Sequence, residues 1–69
     1  MTIDYTEIGK RIARRRKALG LKQSEVEEKA SLGQKYLSNI ERSISIPSIE
    51  VIMKLAYVLN TTPDEFLIG

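Results

Sequence analysis

Apolar residues recur along the 69-residue chain at spacings of three and four, and no segment alternates convincingly as a strand. Ile8, Ile12 and Leu19 mark the inner face of a first helix over about Thr6 to Leu19, which Gly20 stops as a left-handed cap. Val26 and Ala30 mark a second helix over about Gln23 to Ala30. Ser31, Leu32 and Gly33 then break the rhythm. Three residues with a central apolar side chain make a tight turn, and Leu32 can plug the space between two helices. In a third helix, about Gln34 to Arg42, Leu37 and Ile40 face inward while Gln34, Lys35, Ser38, Asn39 and Arg42 hold the other face.

Ser43 to Pro47 reads as a loop, because Pro47 cannot continue a helix and biases Ile46 towards an extended shape. From Ser48 to Leu59, Ile52, Leu55, Ala56 and Leu59 build a wide apolar stripe, closed by Asn60, a residue that tolerates left-handed geometry. Thr62-Pro63-Asp64-Glu65 carries the signals of a helix start: a cap, a proline at the first position and a glutamate at the third. Phe66 and Leu67 fold that last helix onto the core. The expected architecture is all-α, a compact bundle of five short helices in one domain, residues 1–69.

Composition narrows the function. With no cysteine and no histidine, the chain lacks disulfides, thiolate chemistry and the commonest general base and metal ligand. It has no phosphate-binding glycine loop and no metal-ligand set, and its acids are scattered over helix faces. An enzyme is therefore not expected, and neither is a cofactor, a metal or a small-molecule substrate. No apolar run reaches the roughly 20 residues that span a bilayer, and Met1 to Tyr5 carries no signal-peptide pattern; the expected setting is cytoplasmic, away from membranes. Net charge is only +2, but Lys10, Arg11, Arg14, Arg15, Arg16 and Lys17 form a local basic run. Such a stripe attracts phosphate, or is simply a solvated helix face.

The spacing from Val26 to Ile40 is the most informative feature. Two short helices joined by a three-residue turn cross steeply and share one apolar knot: Val26, Ala30, Leu32, Leu37 and Ile40. The second of the pair then presents its polar face outwards. Amides and a lysine on a protruding helix suit the major groove, where Gln and Asn bond adenine and Lys bonds guanine. An α-hairpin with a merely solvated outer face fits the same window.

Taken in order, Ile8-Gly9-Lys10-Arg11-Ile12, Gly20-Leu21-Lys22-Gln23, Tyr36-Leu37-Ser38-Asn39-Ile40-Glu41-Arg42, Pro47-Ser48 and Thr62-Pro63-Asp64-Glu65-Phe66-Leu67 resemble the phage repressor/Cro-type (XRE) helix-turn-helix family of transcriptional regulators. The resemblance covers nearly the whole chain. It implies a lambda-repressor-like bundle whose second and third helices form the helix-turn-helix. It further implies a repressor-like regulator of a bacterial or phage-infected cell, binding a palindromic double-stranded DNA operator as a homodimer, with half-sites about one turn (roughly 34 Å) apart. Carried over by position, Gln34, Lys35, Ser38 and Asn39 read bases, while Gln23, Arg42, Lys22 and Arg16 meet phosphate, helped by backbone N–H groups at the start of the second helix. Arg16 and Glu41 stand where relatives form an ion pair.

The chain departs from the family inside this segment. Relatives carry a small residue, most often alanine, where Glu27 stands; a glutamate there must bend outwards or find a cation, with Arg15 the candidate. Ser31 and Ser43 replace frequent glycines, and Gly33 replaces the usual serine or threonine cap. The loop lacks the basic residues common in relatives. Its Ile44 and Ile46 either pack onto their own core or join Met53 and Tyr57 in a dimer surface, and Phe66, Leu67 and Ile68 are open to either role. The competing reading is a protein-binding module of the same fold, such as an antitoxin or other partner-binding component.

Overall fold

The computed structural model describes residues 3–69, and every element in it is helical: α1 (Tyr5–Ala18), α2 (Gln23–Lys29), α3 (Tyr36–Glu41), α4 (Ile49–Val58) and α5 (Pro63–Leu67). Two helix starts are fixed by side chains. Asp4 Oδ1 accepts from the Thr6 backbone N–H at 3.0 Å and from its hydroxyl at 2.6 Å, and these bonds, the hydroxyl first, hold the Asp4 pKa below its ordinary value. Ser48 Oγ accepts the Val51 N–H at 3.2 Å. Pro63 takes the first position of α5, where a missing N–H costs nothing, but the Thr62 side chain makes no cap bond.

One closure ends four of the helices. After α1, α2, α3 and α4 the chain takes a left-handed residue at Gly20, Ser31, Ser43 and Asn60, with φ of 70°, 56°, 61° and 55°. Each donates back to a carbonyl of the last turn, and the following residue donates one step deeper. Around Ser31, for example, Ser31 N–H meets Glu28 O at 3.2 Å and Leu32 N–H meets Glu27 O at 2.8 Å. Only one of the four is glycine. The left-handed region costs a non-glycine residue about 1–2 kcal/mol, so these turns are held by the bonds and packing around them.

The core is one cluster: Ile8, Ile12, Val26, Ala30, Leu37, Ile40, Ile52, Leu55, Ala56, Leu59 and Phe66, with Leu21, Leu32 and Leu67 packed against it. Leu19 departs from the pattern, because it caps α1 and lies exposed beyond the last inward-facing turn. Gly9 is where α1 and α3 meet. A Cβ there would stand 2.0 Å from the Ile40 carbonyl oxygen, so only a residue without one admits this crossing.

The basic run divides between structure and surface. Arg11 Nη1 donates to Phe66 O at 3.2 Å, and Arg15 donates to Leu59 O at 2.9 Å and Asn60 O at 3.0 Å. Both satisfy carbonyls at helix ends that have no partner within their own helix. Arg15 is thus occupied far from Glu27, which corrects the pairing expected between them. Lys10, Arg14 and Lys17 remain exposed, Lys10 beside Glu7 at 3.4 Å.

Candidate nucleic-acid interface

α2 and α3 bury Val26, Leu37 and Ile40 on their inner sides and leave a shallow polar groove on the outer one. Lys22, Gln23, Ser24, Glu27, Lys35, Ser38, Asn39 and Arg42 line it. Three cations, two amides, two hydroxyls and the Glu27 carboxylate thus line one surface. Gln34 stands outside the groove, exposed on the turn that leads into α3.

The third helix is shorter than its apolar pattern suggested. It starts at Tyr36 rather than Gln34, because Lys35 takes a left-handed φ of 66° and so cannot be a helical residue. Tyr36 N–H bonds Gly33 O at 3.3 Å, closing a turn over Gln34 and Lys35. Ser38 and Asn39 lie on the helix itself, and Arg42 caps its end.

At that end sits a buried polar knot. Arg16 meets Glu41 in two bonds, Nε to Oε2 at 2.7 Å and Nη2 to Oε1 at 2.9 Å, and its Nη1 donates to Leu21 O at 2.8 Å. Gln23 Nε2 adds a bond to Glu41 Oε1 at 3.0 Å. The hydrogen bonds that Arg16 donates to Glu41, more than the charge of that carboxylate, raise the Arg16 pKa against the opposing effect of burial, so the guanidinium stays charged. Arg16 is 8% exposed and spends three N–H groups inside the protein. With three of its five N–H groups bonded inside the protein, Arg16 serves first to hold Glu41 and Leu21, the structural role implied for the pair. Gln23 is half-buried, and its amide nitrogen is turned to Glu41.

At the start of α2, Glu25 reaches back to accept the Lys22 N–H at 2.8 Å. One amide that would face a phosphate is thus already bonded. Glu27 does not bend outwards. It is buried, and its Oε2 accepts the Leu37 N–H at 3.1 Å. Composition gave no hint of this, since the family's small residue at that place has no hydrogen bond to make.

Ile44 and Ile46 are exposed at 61% and 63%, which removes their packing onto the core as an explanation. Ile49, Met53 and Tyr57 follow at 60%, 58% and 88%, each four residues after the last on one face of α4. Ile49 belongs to this stripe and was not singled out in the sequence, where it reads as the first residue of a helix. Phe66 is buried and Ile68 is exposed. Among the described residues no helix is long and apolar enough to cross a membrane.

The helix-turn-helix family model matches residues 12–66. SinR, an HTH-type transcriptional regulator of Bacillus subtilis, is 43% identical over 61 residues, which are 87% of this chain and 55% of SinR. The chain thus spans about half the length of that curated relative. A crystal structure of SinR in complex with DNA superposes with a TM-score of 0.76 at 42% identity, covering 81% of this chain and 90% of that one. The restriction-modification controller protein C.AhdI from Aeromonas hydrophila superposes at 0.87 with 31% identity, covering 93% and 97%. The P22 c2 repressor bound to a synthetic operator gives 0.84 with 32% identity, covering 90% and 94%. By sequence and by fold, the chain belongs to the helix-turn-helix family, in its phage repressor/Cro (XRE) branch.

Proposed function

We propose that this chain is the DNA-binding part of a repressor-like transcriptional regulator in the cytoplasm, and that it performs no catalysis. The observation that carries the reading is the groove between α2 and α3. It gathers Lys22, Lys35 and Arg42 around the exposed polar face of a helix in a protein whose relatives are DNA-bound regulators. Ser38 and Asn39 read base edges from the helix, Gln34 and Lys35 from the turn before it, and Lys22, Gln23 and Arg42 hold phosphate. Arg16 acts from behind, fixing Gln23 and the end of α3 through Glu41.

Two copies act together on a palindromic operator. The stripe Ile49–Met53–Tyr57, with Ile44 and Ile46 before it, is apolar surface that a second copy would cover. Selection from random duplexes should return a palindrome with half-sites about one helical turn apart. Gln34→Ala should relax preference at one base pair by about 1–3 kcal/mol, whereas Arg42→Ala should weaken all sequences alike. Four charged phosphate contacts per dimer, Lys22 and Arg42 from each copy, would cost about a hundredfold in affinity between 50 and 200 mM salt. A flat salt profile would reject the reading. For the dimer, Tyr57→Glu should lower self-association measured by sedimentation and leave the fold intact, since the side chain stands almost wholly in solvent. Unchanged sedimentation would move the two-fold contact elsewhere.

A further inference from the structure

Among the described residues the buried Arg16–Glu41 pair and the buried Glu27 are not alike. Arg16 has a counter-charge in Glu41. Glu27 has none: among the described residues no Lys or Arg nitrogen forms an ion pair with it. A buried carboxylate without a cation is expensive unless something else stabilises its charge. Here that role falls to the first turn of α3. Leu37 is the second residue of the helix, and its N–H is one of the amides that no carbonyl of the helix can reach. Glu27 Oε2 accepts it at 3.1 Å, and the carboxylate faces the positive end of the helix.

α3 has no cap of its own. The residue before it is Lys35, whose ammonium has no lone pair, and Gly33 offers no side chain. The acceptor therefore comes from α2, ten residues earlier in the chain. This bond coincides with the late start of the helix: Tyr36 begins it, and Gln34 and Lys35 are held in the preceding turn. The two side chains proposed to read bases from that turn, Gln34 and Lys35, stand three and two residues before the amide that Glu27 holds.

We propose that Glu27 is a specificity-determining positioning residue. Its carboxylate caps α3 from the neighbouring helix, sets where the reading helix starts, and so sets the angle from which Gln34 and Lys35 meet DNA. The inference rests on the DNA-reading function above for its consequence, but the cap itself can be tested without DNA. Glu27→Gln keeps the volume and an acceptor oxygen, whereas Glu27→Met keeps the volume and removes the acceptor.

Amide hydrogen exchange of the whole chain reads the cap. In Glu27→Met the Leu37 amide should exchange at least tenfold faster, relative to Ile40, than in the unsubstituted protein; in Glu27→Gln it should stay protected. Random-duplex selection reads the consequence. Glu27→Met should shift preference at the base pairs where Gln34→Ala and Lys35→Ala relax it, and leave those assigned by Asn39→Ala unchanged, while Glu27→Gln selects the original site. Unchanged Leu37 exchange in Glu27→Met, or an unchanged selected site, overturns the proposal. A Gln variant that behaves like the Met variant also overturns it, because an acceptor would then not suffice. Should the unsubstituted chain select no sequence at all, the DNA reading fails, and Leu37 exchange still decides whether Glu27 is the cap.

Discussion

The two ends of α3 are held by different chemistry. At the C-terminal end both oxygens of Glu41 accept from one edge of the Arg16 guanidinium, Gln23 donates a further bond, and the Ile40 carbonyl lies against the bare Cα of Gly9. A planar fork on a carboxylate fixes direction as well as distance. At the N-terminal end a single carboxylate oxygen meets a single N–H, and the chain before it turns through a left-handed lysine. Ser38 and Asn39 lie on the helix between its two held ends, whereas Gln34 and Lys35 precede it and depend on the weakly held one alone. The two pairs of proposed base readers are in this way positioned by different bonds.

The strongest way to break the contrast is at the fork. Arg16→Ala would leave the Glu41 side chain, 6% exposed, as a buried charge whose one remaining side-chain partner is Gln23. Breaking such a pair costs about 3–5 kcal/mol, a large part of what a small domain has in hand. Urea unfolding should show the loss, and the double variant Arg16→Met with Glu41→Leu should recover much of it. A loss below about 1 kcal/mol, the range of an exposed pair, would mean that this end is not anchored by the ion pair.

Gly9→Ala attacks the same end from α1. The new Cβ would meet a backbone oxygen, which cannot rotate away as a side chain would, so one helix must shift. Overpacking of this kind costs about 1–3 kcal/mol. Because the oxygen belongs to α3, DNA affinity should fall at temperatures where the variant is still fully folded. Unchanged affinity at full folding would show that the C-terminal end tolerates a shift without consequence for docking.

This contrast was only partly legible in the sequence. Arg16 and Glu41 lie 25 positions apart, and the resemblance brought them together, not their spacing. Helical periodicity found the cores of all five helices, since Ile8, Ile12, Val26, Leu37, Ile40, Ile52, Leu55 and Phe66 are buried as the pattern demands. It failed at ends, where the decisive bonds are not periodic. Leu19 sits at the right spacing yet is the cap that follows the last residue of α1, Ala18. Gln34 and Lys35 look like a first helical turn because nothing local forbids it; what fixes the later start is a left-handed turn and a partner on another helix. Glu27 looked like a misfit in need of a cation, because a sequence displays charges but not unpaired backbone amides. Gly9 was part of the recognised motif, but the oxygen that requires it is visible only once α1 and α3 cross.

The smallest effect concerns the two serines that stand before and after α3. Ser31 precedes the weakly held end and Ser43 follows the strongly held one, and both are left-handed. Glycine removes the Cβ penalty of about 1–2 kcal/mol there and gives back part of it as unfolded-state freedom, leaving a net gain of roughly 0.5–1 kcal/mol for Ser31→Gly. Ser43→Gly should gain less, because it gives up the bond from Ser43 Oγ to Thr6 O at 3.1 Å. Thermal melts should rank the variants in that order. Their DNA selections carry the sharper information. Ser43→Gly should select an unaltered site, since Arg16 and Gly9 already hold the helix end beside it. If Ser31→Gly changes preference at the base pairs assigned to Gln34 and Lys35, the weak end begins at the turn after α2. If it does not, the Leu37 amide on Glu27 is where the positioning of those readers starts.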